Sequence, residues 1–157
     1  MNYKMMGRFI AQILLLEAGF MLPAVCVSCY CGEMSAVWAF LWTMLLLCLI
    51  SGVLRFFCKG AKSNFYATDG MVCVALSWIV LSLAGSLPFL ISGAIPRFID
   101  ALFEIVSGFT TTGASILPAV EGLPKGILYW RSFSHWVGGM GVLVFLLAIV
   151  PSTDRGK

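Results

Sequence analysis

Three consecutive threonines followed by a glycine form the segment of this sequence best suited to ion chemistry: Thr110, Thr111, Thr112 and Gly113. A dehydrated monovalent cation needs a cage of oxygen atoms, and backbone carbonyls supply one without a fixed charge that would trap the ion. Gly113 can adopt backbone angles that turn successive carbonyls toward one axis, and the threonines add hydroxyls and stiff β-branches. The segment predicts a cation-selectivity filter, although the tetrapeptide alone also fits an ordinary polar turn.

Two acidic residues precede this segment at helical spacing. Asp100 is suited to cap the N-terminus of a helix, and Glu104 lies one and a half turns before Thr110. The stretch from Asp100 to Thr110 makes only about 16 Å of helix, half a membrane. Such a half-helix would aim its negative C-terminal end at a cation. Glu104 would either accept hydrogen bonds from filter amides or add to the negative field.

The elements that would position these residues are long apolar helices. Of the 157 residues, 61% are hydrophobic and 11% are charged, against about 25% charged in a typical soluble domain. Three stretches of about 22 residues, or about 33 Å as helices, can each span a bilayer: Phe9–Tyr30, Ala36–Phe57 and Gly70–Ile91. A fourth apolar stretch, Gly126–Val150, follows the threonine segment.

The segment between the third and fourth stretches cannot cross the membrane, because both flanking helices reach the same side. It must enter and return, and such re-entrant backbone is tolerated only when it is buried in protein or lines a water-filled path. The sequence therefore predicts an all-α integral membrane protein. Two N-terminal transmembrane helices occupy residues 1–66, and one helix–pore-loop–helix repeat, as in P-loop channels, occupies residues 67–157.

Positive charge is distributed unequally between the two sides of this topology. With the N-terminus inside, three basic residues, Arg97, Lys125 and Arg131, lie outside and the other seven lie inside. This bias follows the positive-inside rule and predicts a multi-pass protein with both termini cytoplasmic. No basic run suggests nucleic-acid binding. The single histidine, His135, has no serine or carboxylate partner at a spacing that suggests hydrolysis, so we expect no enzyme.

Two groups of residues carry a resemblance to a known family. Asp100–Glu104 (DALFE) with Ser107–Ala114 (SGFTTTGA) resembles the first pore loop of the bacterial TrkH/TrkG potassium transporters, in the Trk/Ktr/HKT superfamily. Tyr129–Phe133 (YWRSF) with Trp136–Gly141 (WVGGMG) resembles the helix that follows that loop. Met21–Pro23 is similar to the end of the first of the family's two extra N-terminal helices.

The resemblance implies potassium uptake across the bacterial cytoplasmic (inner) membrane through one pore lined by four such repeats. Potassium, the transported ion, would be held mainly by the backbone carbonyls of Thr111, Thr112 and Gly113, and Gly113 matches the family's key filter glycine. The implied partners are the remaining repeats, a cytoplasmic nucleotide-binding regulatory subunit of TrkA type, a second copy in a homodimer and the lipid bilayer. No other cofactor is implied.

Several polar residues have more than one interpretation. We expect Asp100, Glu104 and Arg131 to support the filter, with Arg131 either reaching the outer interface or pairing with one of the two acids. Glu17, in the first apolar stretch, is expected to face protein or be protonated, or else to contact an ion path or coupling site. His135, where the family pattern favours glutamine, is an interface residue or a proton relay or metal ligand.

The cysteines and the length of the chain leave further alternatives. Cys26 and Cys29 form a CxxC, with no second pair or nearby histidine that would indicate a metal site. We interpret the thiols as small apolar groups, with a disulfide between Cys29 and Cys31 as the alternative. The chain holds the helix pair and one of four expected repeats. The alternative to a conducting subunit is therefore a truncated, non-conducting membrane protein that associates with a full-length transporter.

Overall fold

The computed structural model describes residues 3–58 and 67–149, with the backbone alone at 67–69 and 142–149. Within this part the chain is helical and contains no strand. Its five helices are α1 (Tyr3–Tyr30), α2 (Met34–Phe57), α3 (Ala67–Ile91), α4 (Phe98–Phe109) and α5 (Lys125–Ile149). The predicted all-α class is confirmed.

Three segments of these helices are long and apolar enough to cross a membrane: Tyr3–Tyr30, Met34–Phe57 and Gly70–Ile91. They match the three predicted spans at their C-terminal ends. Helix α1 begins earlier than predicted because the residues before its apolar stretch, mostly Met, Lys and Arg, are good helix formers and extend it. Helix α1 runs through Pro23 and ends at Tyr30, as predicted for the first span. Helix α5 matches the fourth apolar stretch, and Val150 lies outside the described residues.

Helices α1 and α2 form a hairpin held by close packing of small residues. The chain reverses at Gly32, whose φ of 72° is a left-handed angle that suits glycine. Ala11 and Ala18 of α1 and Ala36 and Ala39 of α2 are buried, as expected where membrane helices approach each other closely. Other large apolar residues of the two helices, such as Leu16 and Trp38, are exposed, where lipid would cover them.

Helix α4 is a half-length helix of 12 residues between α3 and α5. It begins at Phe98, with extended Arg97 (φ −91°, ψ 127°) as its N-cap residue, so the prediction that Asp100 is the N-cap is wrong. Helix formation starts as soon as the chain has passed Pro96, and Arg97 O accepts the first hydrogen bond, from Ala101 N–H (3.0 Å). Asp100 instead lies in the first turn, where its negative charge interacts favourably with the positive end of the helix dipole.

The core lies where α4 and the N-terminal half of α5 meet the other helices. Trp130 of α5 is buried, packs edge-on against Phe40 of α2 (ring centroids 6.4 Å apart), and donates its indole N–H to Gly85 O of α3 (2.9 Å). Ile105 of α4 lies against the same glycine, where an added Cβ would be 3.0 Å from its Cγ1. The predicted boundary at residue 66 lies outside the described residues, and the helices on both sides of it share this core.

Candidate functional site

The threonine segment closes the C-terminal end of α4. Thr110 donates both its N–H (2.8 Å) and its hydroxyl (2.7 Å) to Val106 O, one turn earlier. The next two N–H groups donate to carbonyls of the same helix. Thr111 N–H donates to Gly108 O (2.9 Å), and Thr112 N–H donates to Ser107 O (2.9 Å). These bonds use the carbonyls that a helix end leaves without partners.

Two residues of this segment have left-handed backbone angles. Gly113 has φ 74°, and Thr111 has φ 57°, the one positive φ of a non-glycine residue among those described. A β-branched residue at such an angle is a true outlier, of the kind found at functional sites. Nothing lies within 4 Å of a Cβ added at Gly113. A side chain there would therefore be opposed by backbone conformation and not by lack of space.

The chain then returns along α4 and is fastened to it by Glu104. This carboxylate is 1% exposed and accepts hydrogen bonds from the Ser115 hydroxyl (3.0 and 3.2 Å to its two oxygens) and from Ile116 N–H (3.2 Å). The Ser107 hydroxyl adds a bond to Ala114 O (2.6 Å). Glu104 therefore holds the residues that follow the threonine segment, and none of its recorded bonds is to an amide of residues 110–113.

Arg131 of α5 completes this network. Its Nε donates to Glu104 Oε1 in an ion pair whose side chains are 16% and 0% exposed. Of the two acids considered for Arg131, the structure selects Glu104, and Asp100 has no recorded side-chain partner within the described ranges. Removing one partner of a buried ion pair typically costs about 3–5 kcal/mol, because the other charge is left uncompensated. The pair thus joins α4, the return loop and α5.

Helices α4 and α5 touch through glycine. A Cβ added at Gly138 would overlap the Phe109 carbonyl oxygen and lie 2.7 Å from its carbon, so α5 supports the last residue of α4. A Cβ added at Gly108 would likewise overlap the Ser134 hydroxyl. Gly139 differs, because its nearest neighbour would be Thr111 Cγ2 at 3.9 Å.

The remaining polar candidates make no recorded hydrogen bond to the Glu104 carboxylate within the described residues. His135 has its Nδ1 2.9 Å from Arg131 O, an intrahelical hydrogen bond. Glu17 is 1% exposed, packs near Gly85, and neither of its oxygens has a hydrogen-bond partner in the part of the chain described. Cys29 and Cys31 are free thiols, so the alternative of a disulfide between them is not realised. The described residues contain no cluster of three or more His, Cys, Asp or Glu side chains placed to hold a metal ion.

Three residues that make these structural contacts were not predicted from the sequence. The Ser107 hydroxyl binds Ala114 O and the Ser115 hydroxyl binds the Glu104 carboxylate, next to the threonine segment. Polar residues flanking a predicted filter were a signal that could have found them. Glu33 bonds to the start of α5, 92 residues away. No local pattern in the sequence indicates that contact.

Comparison with known proteins shows which family shares this architecture. Residues 36–157 match the family model TrkH, described as a cation transport protein. The chain is 34% identical over 99% of its length to the "Trk system potassium uptake protein TrkH" of Halomonas elongata. It is 36% identical over 87% of its length to the "Trk system potassium uptake protein TrkG" of Escherichia coli. The crystal structure of the potassium transporter TrkH from Vibrio parahaemolyticus matches 96% of the chain with a TM-score of 0.87 and 36% identity.

The helical fold and these matches define a multi-pass membrane protein. The chain belongs to the TrkH family of cation transport proteins. It spans 32% of the length of the Halomonas relative and 32% of the solved Vibrio chain.

Proposed function

We propose that this chain provides the helix pair and the first pore-loop repeat of a potassium-uptake subunit. The observation that carries the proposal is the fastening of the return loop to α4 through buried Glu104, with left-handed Gly113 at the bend. A half-helix followed by a loop that is bonded back to it is the arrangement that one wall of a filter requires. The relatives that match the chain over nearly its whole length bear names that specify potassium uptake.

The selectivity chemistry would come from backbone oxygens. Thr110 and Thr112 share a hydroxyl–hydroxyl bond (2.8 Å), and the Thr111 hydroxyl donates to Thr110 O (2.7 Å), so these side chains have partners within the segment. No recorded N–H donor in the described ranges reaches the carbonyls of Thr111, Thr112 or Gly113. These three carbonyls are therefore available to replace the water of a potassium ion. The C-terminal end of α4 adds a favourable negative field.

The wider setting is part of the same proposal. The seven-to-three distribution of basic residues supports a bacterial cytoplasmic membrane location with residues 1 and 157 inside and α4 entering from outside. Three further repeats would complete the pore, a nucleotide-binding subunit of TrkA type would regulate it, and two copies of the full subunit would pair. Potassium entry would be driven by the membrane potential, worth about 2.3 kcal/mol per charge per 100 mV.

Replacing Gly113 tests the filter assignment. The host is a chimaeric transporter in which this chain replaces the matching N-terminal third of the Vibrio parahaemolyticus relative. We expect Gly113→Ser to lower potassium-over-sodium selectivity roughly tenfold, because a non-glycine residue with left-handed angles costs about 1–2 kcal/mol. Uptake of rubidium in competition with sodium measures this ratio.

The matched control is Gly122→Ser, at an exposed glycine of the same loop that lacks a positive φ and has open space around it. Selectivity should be unchanged in this variant. Unchanged selectivity in Gly113→Ser, at normal membrane abundance, would show that the segment is an ordinary turn.

A further inference from the structure

The start of α5 lacks the residues that usually stabilise a helix N-terminus. The first four N–H groups of a helix have no partner within it. The three residues before α5 are Gly122, Leu123 and Pro124, and none has a side-chain acceptor. The first helical residue, Lys125, carries a positive charge at the positive end of the helix dipole, which is unfavourable.

A carboxylate from the α1–α2 hairpin supplies what the local sequence lacks. Glu33 Oε1 accepts the Lys125 N–H (2.8 Å) and Oε2 accepts the Gly126 N–H (3.1 Å). This is the charge-assisted capping that an N-cap residue provides, delivered from 92 residues earlier in the chain. Glu33 is also the N-cap residue of α2, without a side-chain bond to that helix.

The contact around Glu33 is close enough to fix the position of α5. A Cβ added at Gly126 would overlap the Ser28 hydroxyl and lie 3.1 Å from Ala24 O, so the end of α1 touches the backbone of α5. The Ser28 hydroxyl is fully buried. The first turn of α5 thus rests against α1 while Glu33 holds its N–H groups.

The same stretch of α5 carries the arginine that supports the proposed filter. Arg131 lies six residues after Lys125, about 9 Å along the helix, and it pairs with Glu104, which binds Ile116 of the return loop. A shift of the α5 N-terminus would therefore move the guanidinium that holds this carboxylate.

We infer that Glu33 is a positioning residue for ion selectivity, acting through α5 and Arg131 on the filter. The inference rests on the proposed function, because it requires residues 110–113 to form a filter. It gives the hairpin a role in permeation: the hairpin holds the outer end of the helix that carries Arg131.

Amide hydrogen exchange tests the capping contact independently of transport. The 157-residue chain is placed in lipid nanodiscs, and exchange is followed at Lys125 and Gly126. We expect Glu33→Ala to speed exchange there about tenfold and Glu33→Gln, which keeps one acceptor oxygen, to give a smaller increase. Glu121→Ala is the matched control, since Glu121 is exposed and has no recorded side-chain bond among the described residues. Unchanged exchange in Glu33→Ala would overturn the inference.

Ion selectivity in the chimaeric transporter tests the positioning role, with Gly113→Ser measured in parallel. We expect Glu33→Ala to lower potassium-over-sodium selectivity about threefold, with Glu33→Gln between it and the parent. Loss of selectivity in Gly113→Ser but not in Glu33→Ala would overturn the positioning role while leaving the filter assignment intact. If neither variant changes selectivity, the filter assignment is wrong and the positioning role is wrong with it.

Discussion

The α1–α2 hairpin and the α4–loop–α5 unit are stabilised by different chemistry. In the hairpin, small residues of both helices are buried, and the Ser51 hydroxyl donates to Ala11 O (2.7 Å) between the two helices. In the unit that follows α3, a buried carboxylate binds a guanidinium, a hydroxyl and a backbone N–H. Small residues suffice where two continuous helices meet, because each helix bonds its own backbone. A short helix that ends within the protein and continues as a loop leaves backbone groups without partners, so side chains must supply them.

The largest effect is expected from breaking the Glu104–Arg131 pair. Glu104→Ala leaves the Arg131 guanidinium without its recorded partner and frees Ser115 and Ile116, so the free energy of unfolding should fall by about 3–5 kcal/mol. Thermal unfolding in detergent measures the loss. Asp100→Ala is the control at a carboxylate without a recorded partner in the part described, and it should cost under about 1 kcal/mol. Equal losses in the two variants would show that the network does not hold the loop.

An intermediate effect is expected where α5 supports the end of α4. Gly138→Ala forces a methyl group into the Phe109 carbonyl, and overpacking of this kind costs about 1–3 kcal/mol. Gly139→Ala has space and should be neutral or stabilising by up to about 1 kcal/mol, since alanine is the better helix former. The difference in unfolding temperature between these adjacent variants is the measurement. Similar temperatures would contradict the close contact at Gly138.

The smallest effect is expected in the hairpin. Ser51→Ala removes the bond to Ala11 O, and hydrogen bonds between membrane helices average about 0.6 kcal/mol. Ser35→Ala, at an exposed serine of the same helix, should change nothing measurable. The free energy of unfolding of the two variants, measured in increasing denaturant, is compared. A loss at Ser51 as large as that at Glu104 would remove the contrast between the two regions.

Sequence periodicity and composition were sufficient for the helices because apolar length determines which segments can span a bilayer. They also located the half-helix and the two acids within it, Asp100 and Glu104. They did not choose between Asp100 and Glu104 as the partner of Arg131, because that choice depends on how α5 lies against α4. The misplaced N-cap has a local reason: the helix starts directly after Pro96 and Arg97, without a side-chain cap. The contact of Glu33 could not be predicted, because its partners are distant in sequence. They are also backbone N–H groups, which every residue except proline has, so no residue type indicates them.

The remote cap on α5 has a consequence for biogenesis. Domains made first during synthesis generally fold first, and Glu33 leaves the ribosome 92 residues before Lys125. The carboxylate can therefore already be in place at the membrane surface when the α5 N-terminus emerges. A helix that starts with lysine and has no local cap would dock onto a finished hairpin. The order of synthesis would thus make the Glu33 carboxylate available before the N-terminus of α5 forms.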